Sequence, residues 1–397
     1  LMSSMFVLPG GDYDMKAMLF GPMLTGVSGI FTYVNGIGMA MYGMAIVDYA
    51  SMVFPAILPY KTLIAVAIIT LFFAATIRGS KFLATITSIM TIVLLVAIGL
   101  FVVFGLPQVK PGFFDGDTFF LNGGVGFIQA ISIMSFACQG TTMAPVSMME
   151  VTKKPRRTIP VAIIFITLTV GIVYALMGVV AAGVLLVEDV AGQSLALVAQ
   201  EIFPNWLYVI FILGGAVFAI ATSLASGIAM LRYPCIQVAE DGWMPAFFKK
   251  TTKGGYPYVV QGFFYLISIL PIILGFSLDA IVSLVMIPAM LMNAYLNCSL
   301  IGLVKKYPEQ WKSSVYHMPT PVFNVICVLG SVCALMVAYN LFVDLSVRDM
   351  IVCLGIIALC VVVAAVRLKT GAVSRETLLN KQQEIARKAV EATAAEE

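Results

Sequence analysis

Histidine is all but missing from this chain, with His317 the single copy in 397 residues. A haem, or a membrane metal site built on imidazoles, therefore lacks its ligands, and a serine buried in an apolar span lacks a histidine base. Charge is scarce too. Asp, Glu, Lys and Arg make up 11% of the residues against 61% apolar ones, and the mean hydropathy is +1.01. That balance excludes an ordinary soluble domain and fits a chain whose solvent is a lipid bilayer. The net charge of +3 comes from cations in short connecting segments and gives no footprint for a nucleic-acid partner. All seven cysteines fall in apolar stretches, where a thiol acts as a small hydrophobe, so no disulfide framework is in view.

What is present is a series of long apolar runs. A window of about 20 residues, enough to cross roughly 30 Å of hydrocarbon, finds ten candidate spans, near 20–54, 62–77, 85–107, 126–149, 159–187, 206–239, 257–275, 278–303, 321–344 and 349–367. The reading is an all-α multi-pass membrane protein, with residues 1–367 as the membrane domain and 368–397 as a polar tail. In that tail Leu378, Ile385 and Ala389 have helical spacing, as in a short amphipathic helix. Taking alternate connections as cytoplasmic gathers 19 of the 23 Lys and Arg residues on one side, with Lys61, Lys110 and Arg348 opposite and Arg232 near the inner end of a span. This asymmetry predicts a cytoplasmic-membrane protein with a cytosolic C-terminus. The basic run "KKPRR" needs no partner beyond that rule; phospholipid binding is the sharper alternative.

The stretch "SFACQGTTMAPVSMMEVTKKPRRTIP", residues 135–160, begins as a membrane helix and then turns small and polar at Cys138, Gln139, Gly140, Thr141 and Thr142 before Pro145. Non-helical backbone at membrane depth survives only where protein or a water-filled cavity satisfies it. Two readings stand side by side, a helix broken around a ligand site and a plain proline kink. "GVSG" at Gly26–Gly29 reads as a small-residue face for close helix packing. Asn35, Met39 and Tyr42 stand at i, i+4 and i+7 and share one helix face, either as a pocket wall or as interhelical packing.

Three stretches in order carry a resemblance. "FVLPGGDYDMKAMLFGP" (Phe6–Pro22), Phe136 to Gly140 followed by "KKPRRTIP", and "LRYPCIQVAEDGWMPAFFKKTTKGGYPYV" (Leu231–Val259), with Arg232, Asp241, Gly242, Pro245 and Pro257 in register, resemble segments of the amino acid/polyamine/organocation (APC) permeases. The resemblance covers nearly the whole chain and implies a five-plus-five inverted-repeat transporter fold with two extra C-terminal helices. It implies that the ten spans are family helices 3 to 12, and that the first two helices lie upstream of Leu1. It further implies a substrate site in which Phe136 is an aromatic gate and the carbonyls from Phe136 to Gln139 accept from a ligand ammonium. Gly140, Thr141, Asn35, Met39 and Tyr42 complete that expected site. No carboxylate lies near it, which favours a neutral or small amino acid or amine; Asp48 is the weak exception.

Ala219, Thr222 and Ser223, at i, i+3 and i+4, have the spacing with which sodium-coupled proteins of the wider fold present a carbonyl and two hydroxyls to Na⁺. Back-bonding of the hydroxyls to their own helix is the plain alternative. Some proton-linked relatives carry a lysine where Leu94 stands here. The expected activity is secondary transport by alternating access, without a resident cofactor and coupled to Na⁺, to protons or to no ion. A non-transporting nutrient-receptor subunit on the same fold is the alternative, and an intramembrane enzyme is a distant third. Oligomeric state is left open by the sequence.

Overall fold

The computed structural model describes residues 1–394 apart from 78–79, 116–119, 121, 139, 150–151 and 253–255, and the side chains of 80–84, 133, 136 and 390–394 lie outside the described set. Among the described residues every regular element is helical. Among those residues eight helices are long and apolar enough to cross a membrane: Pro22–Val53, Pro55–Ile77, Thr85–Gln108, Pro155–Gly183, Asn205–Glu240, Leu278–Leu300, Thr320–Val343 and Val347–Lys369. They coincide with eight of the ten apolar runs. The remaining two runs hold shorter helices. One is Tyr258–Ile273, of 16 residues. The other run contains Gly123–Cys138 and Gly140–Ser147, on either side of Gln139; the expected break beside Gly140 thus falls on a residue outside the described set. Pro145 does not end its helix but sits inside Gly140–Ser147, where its missing N–H leaves the Thr141 carbonyl without an amide donor four residues on.

Chain chemistry sets the helix ends. Ser277 and Ser346 cap the helices that follow them, accepting from the amides of Ala280 and Asp349, each at 3.2 Å. Asp279 and Asp349 sit in those first turns, where the helix dipole favours an anion. The helix Arg232–Glu240 closes in a Schellman turn: Gly242 N–H donates to the Ala239 carbonyl and Trp243 N–H to that of Val238, both at 3.1 Å. Gly242 takes φ +91°, and a Cβ there would run into the Ala372 carbonyl.

Among the described residues two spans depart from α geometry in mid-span, each at a pair of glycines. Within Pro22–Val53 the backbone tightens to a 3₁₀ turn over Asn35–Gly38; Gly36 lies against the Phe264 ring, and its carbonyl accepts from Ser268 Oγ at 3.0 Å. Within Asn205–Glu240 the backbone widens to π geometry over Phe211–Val217, where Gly214 and Gly215 let Val93 and Ala97 come close.

The main core joins Tyr33, Val47, Ile69, Leu224, Phe264, Ile281 and Cys360. A second apolar cluster lies at the end carrying the basic segments and includes Phe6, Met18, Met149, Tyr307, Trp311, Ile385 and Ala389. The tail forms the helix Arg375–Ala394, and the expected stripe of Leu378, Ile385 and Ala389 is its buried face. The basic run at 153–157 corrects the expectation that it is only a membrane-side charge. Arg156 is buried, and its guanidinium donates to the carbonyls of Ser4 (3.1 Å) and Ala389 (3.0 Å).

Candidate functional site

A narrow cavity lies in the basic half of the bundle. It is walled by Ser28, Thr32 and Asn35 from Pro22–Val53, Met143 and Ser147 from Gly140–Ser147, Met230 and Leu231 from Asn205–Glu240, and Asn293 from Leu278–Leu300. Asp12, Tyr13 and Lys16, all on the short helix Asp12–Leu19, form its floor. The free space is about 20 Å³, of the order that admits one water molecule. The cavity is therefore closed to an amino-acid-sized guest as it stands. Ser28 Oγ is buried here without a hydrogen-bond partner among the described residues, so the wall offers an unused hydroxyl.

The floor is held by charge and by close packing. Lys16 Nζ pairs with Asp12 at 2.5 Å, with both side chains largely buried. Asp14 accepts from the Gly10 amide at 2.7 Å, which explains the glycine: any Cβ at position 10 would overlap the Asp14 carboxylate. Gly11 turns the chain with φ +56° and rests against Ser147. Tyr13 is fully buried; its hydroxyl donates to Asp241 at 2.5 Å and accepts from Trp243 Nε1 at 2.9 Å. Burial first, and then the charge of Asp241, push the Tyr13 pKa well above its ordinary value, so the phenol stays a donor. The glycines of "GVSG" have the expected role: Gly26 leaves room for the Trp243 ring and Gly29 for Tyr13 and Val238.

Among the residues expected to bind substrate, Asn35 lines the cavity, while Met39 and Tyr42 reach Gly227, one turn farther along the facing Asn205–Glu240 span. The shared face therefore survives the 3₁₀ turn and looks onto one helix at successive levels. Met39 is nonetheless 7% exposed and part of the apolar core. Thr141 is buried, with its hydroxyl donating to the Cys138 carbonyl at 2.8 Å. Among the described residues, nothing lies within 4 Å of where a Cβ at Gly140 would stand. Gln139 and the side chain of Phe136 lie outside the described residues.

Thr222 and Ser223 both donate to the Ala219 carbonyl, at 2.8 and 2.9 Å. This is the back-bonded arrangement, and it also collects three oxygens around one point of the span. Asp48, near the C-terminal end of Pro22–Val53, pairs with Lys61 at 2.6 Å.

The structure adds partners that sequence reasoning missed. Asn293 and Ser28 face the cavity, and Lys381 of the tail meets Asp14 at 2.7 Å and Asp241 at 2.8 Å. A lone lysine on a polar tail helix carries no local signal of such pairing. The acids, by contrast, stand inside two of the quoted motifs.

Residues 1–366 match the family described as amino acid permease. Curated relatives include a cadaverine/lysine antiporter of Escherichia coli (strain K12), 28% identical over 244 residues that cover 59% of this chain and 53% of that protein. The branched-chain amino acid permease BcaP of Bacillus subtilis (strain 168) is 29% identical over 236 residues, 58% of this chain and 49% of that protein. The histidine permease HisP of Lactococcus lactis subsp. cremoris is 28% identical over 185 residues, 43% of this chain and 38% of that protein. These matches span about half or less of each relative's length.

Proposed function

The chain belongs to the amino acid permease family, and from that premise we propose that it carries an amino acid or a related amine across the cytoplasmic membrane by alternating access. The observation that carries this reading is the family match over residues 1–366. The inverted-repeat architecture and a cytosolic C-terminus belong to the same proposal, the latter supported by the gathering of Lys and Arg at one end of the bundle.

The substrate site we assign consists of Phe136, Gln139, Gly140 and Thr141 with Asn35, Met39 and Tyr42. Its support is the cavity between Asn35 and the Gly140–Ser147 helix, together with the amide-free position that Pro145 creates opposite the Thr141 carbonyl. A carbonyl without its amide donor can accept from a ligand ammonium. The relatives are named for diamines, branched-chain residues and histidine, so family membership leaves the side-chain preference open. The sequence placed no carboxylate near the site, whereas Asp12 lines the cavity, the one acid there among the described residues; Lys16 already neutralises it, which still favours a substrate without a second positive charge. Na⁺ held by Ala219, Thr222 and Ser223 is the coupling ion we assign.

A thermal-shift screen of amino acids and amines tests the reading. A ligand that binds only the folded state stabilises by about 2.7 kcal/mol at a hundred times its Kd, so at least one amino acid or amine raises the unfolding midpoint. That ligand is then taken up by liposomes holding the protein. A screen in which nothing shifts the midpoint, with no uptake, overturns the proposal.

A further inference from the structure

The tail helix does more than cover an apolar patch. Lys381 is 16% exposed and lies between Asp14, 1% exposed, and Asp241, 10% exposed. These two acids come from different parts of the chain: Asp14 from the floor helix Asp12–Leu19, Asp241 from the turn that ends Arg232–Glu240. One residue farther on, Gln382 Nε2 donates to the Ala17 carbonyl of the floor helix at 2.6 Å. Lys306, from the segment after Leu278–Leu300, donates to the Met18 carbonyl at 2.7 Å and to Gln382 at 3.2 Å. At the far end of the tail, Ala389 accepts from Arg156, and Gln310 donates to the Ala386 carbonyl at 3.1 Å. Every one of these bonds joins a segment at the basic end. The tail holds the floor helix at two points, Asp14 and Ala17, and that helix is also the piece that closes the cavity.

We propose that the helix Arg375–Ala394 is a clamp on the inner gate, in which Lys381 ties Asp14 to Asp241 and must release them before the floor helix swings away from the cavity. The physical case is that an ion pair shielded from water is weakly screened, and losing one partner strands the others. Tyr13 and Trp243 extend the tie into the bundle, since Asp241 also accepts from Tyr13. Opening the floor while the tail stays docked would separate the buried carboxylates from their shared cation. Tail release and cavity opening are therefore one event. The transport reading above supplies the motion that the clamp restrains.

The test uses the full chain with Ser28→Cys as a reporter on the cavity wall, labelled by N-ethylmaleimide and followed by peptide-resolved mass spectrometry. Lys381→Met is expected to speed labelling at position 28 at least fivefold, and Lys381→Arg to keep the slow rate. Cys353, fully buried in Val347–Lys369, reports general loosening and is expected to stay unlabelled in every variant. Equal rates at position 28 in Lys381→Met and its parent overturn the clamp. A rise at Cys353 that matches the rise at position 28 also overturns it, because Lys381 then acts on overall stability. No ligand enters this measurement, so it stands or falls separately from the screen for substrate.

Discussion

Tyr13 and Asp241 are separated by 228 positions in the chain, and their side chains meet at 2.5 Å. The contact is possible because two tight turns aim at each other: Gly10 and Gly11 lead into the helix that carries Tyr13, and the left-handed Gly242 swings Asp241 and Trp243 toward it. With Trp243 Nε1 donating to the same phenol, the hydroxyl satisfies a buried donor and a buried acceptor at once.

Replacing Tyr13 with Phe keeps the ring and removes that hydroxyl. Trp243 then loses its acceptor, and Asp241 loses one donor while keeping Lys381. Leaving buried polar groups unpaired costs about 1–3 kcal/mol, so the unfolding midpoint in detergent falls measurably. A midpoint equal to that of the parent would show that water replaces the phenol without cost.

Gly242 and Gly371 allow a controlled comparison, since both have positive φ, +91° and +71°, but only Gly242 has a neighbour where a Cβ would go. Alanine in the left-handed region costs roughly 1–2 kcal/mol, so Gly371→Ala is expected to show that loss alone. Gly242→Ala adds the collision with the Ala372 carbonyl and loosens the turn beneath Arg367, whose guanidinium donates to the Gly242 carbonyl. Its midpoint falls further than that of Gly371→Ala, and the reverse order would refute this account of the turn.

The bilayer makes much of this fold legible. Apolar runs of the right length had to be helices, and all ten hold helices, eight of them of membrane-crossing length among the described residues. The motifs around Gly10–Tyr13 and Asp241–Trp243 stand out because they resemble segments of the APC permeases. What could not be read is that the two motifs face each other. Contacts across 228 positions leave no periodic trace, and Lys381 looks like any solvated lysine on an amphipathic helix. The π and 3₁₀ segments were equally hidden, because paired glycines in a membrane helix serve close packing as readily as a change of pitch. At the candidate site the face of Asn35, Met39 and Tyr42 was readable from spacing, whereas the Asn293 side of the cavity was not, since it comes from a span with no motif.

Lys381 also fixes a pH dependence. Burial by itself lowers its pKa, but Asp14 and Asp241 outweigh that effect and hold the ammonium above its ordinary value. A folded-state pKa above the unfolded one gives stability that is fully present below the unfolded value, about 10.4, and is lost as pH rises through the folded value. The difference in unfolding midpoint between the parent and Lys381→Met is therefore constant from about pH 6 to 9 and shrinks only in stronger base. A difference that fades between those limits would mean that the pair is not held as described.

Among the described residues no atom lies within 4 Å of the missing Cβ of Gly140, so Gly140→Leu is expected to leave the stability within about 0.5 kcal/mol of the parent. Under the proposed substrate site the leucine fills the space beside exposed backbone that a ligand needs. Binding of the amino acid or amine found by screening is then lost while the protein stays folded. Retained affinity in Gly140→Leu returns this stretch to a simple proline-bearing helix.

Sodium coupling turns on whether the oxygens around Ala219 serve an ion or only their own helix. Thr222 and Ser223 hydroxyls both donate to the Ala219 carbonyl, yet each hydroxyl oxygen keeps lone pairs of its own. Hard oxygen donors suit Na⁺, and a hydroxyl that donates to a carbonyl can still turn its oxygen to a cation. If the ion sits there, an inward Na⁺ gradient drives accumulation of the screened ligand in liposomes, and Thr222→Ala with Ser223→Ala abolishes the Na⁺ dependence without unfolding the chain. Removing only back-bonded hydroxyls is otherwise nearly neutral, because the carbonyl keeps its helical amide partner. The two mechanisms therefore separate cleanly: equal uptake in sodium and choline buffers, unchanged by the double substitution, assigns these hydroxyls to the helix alone.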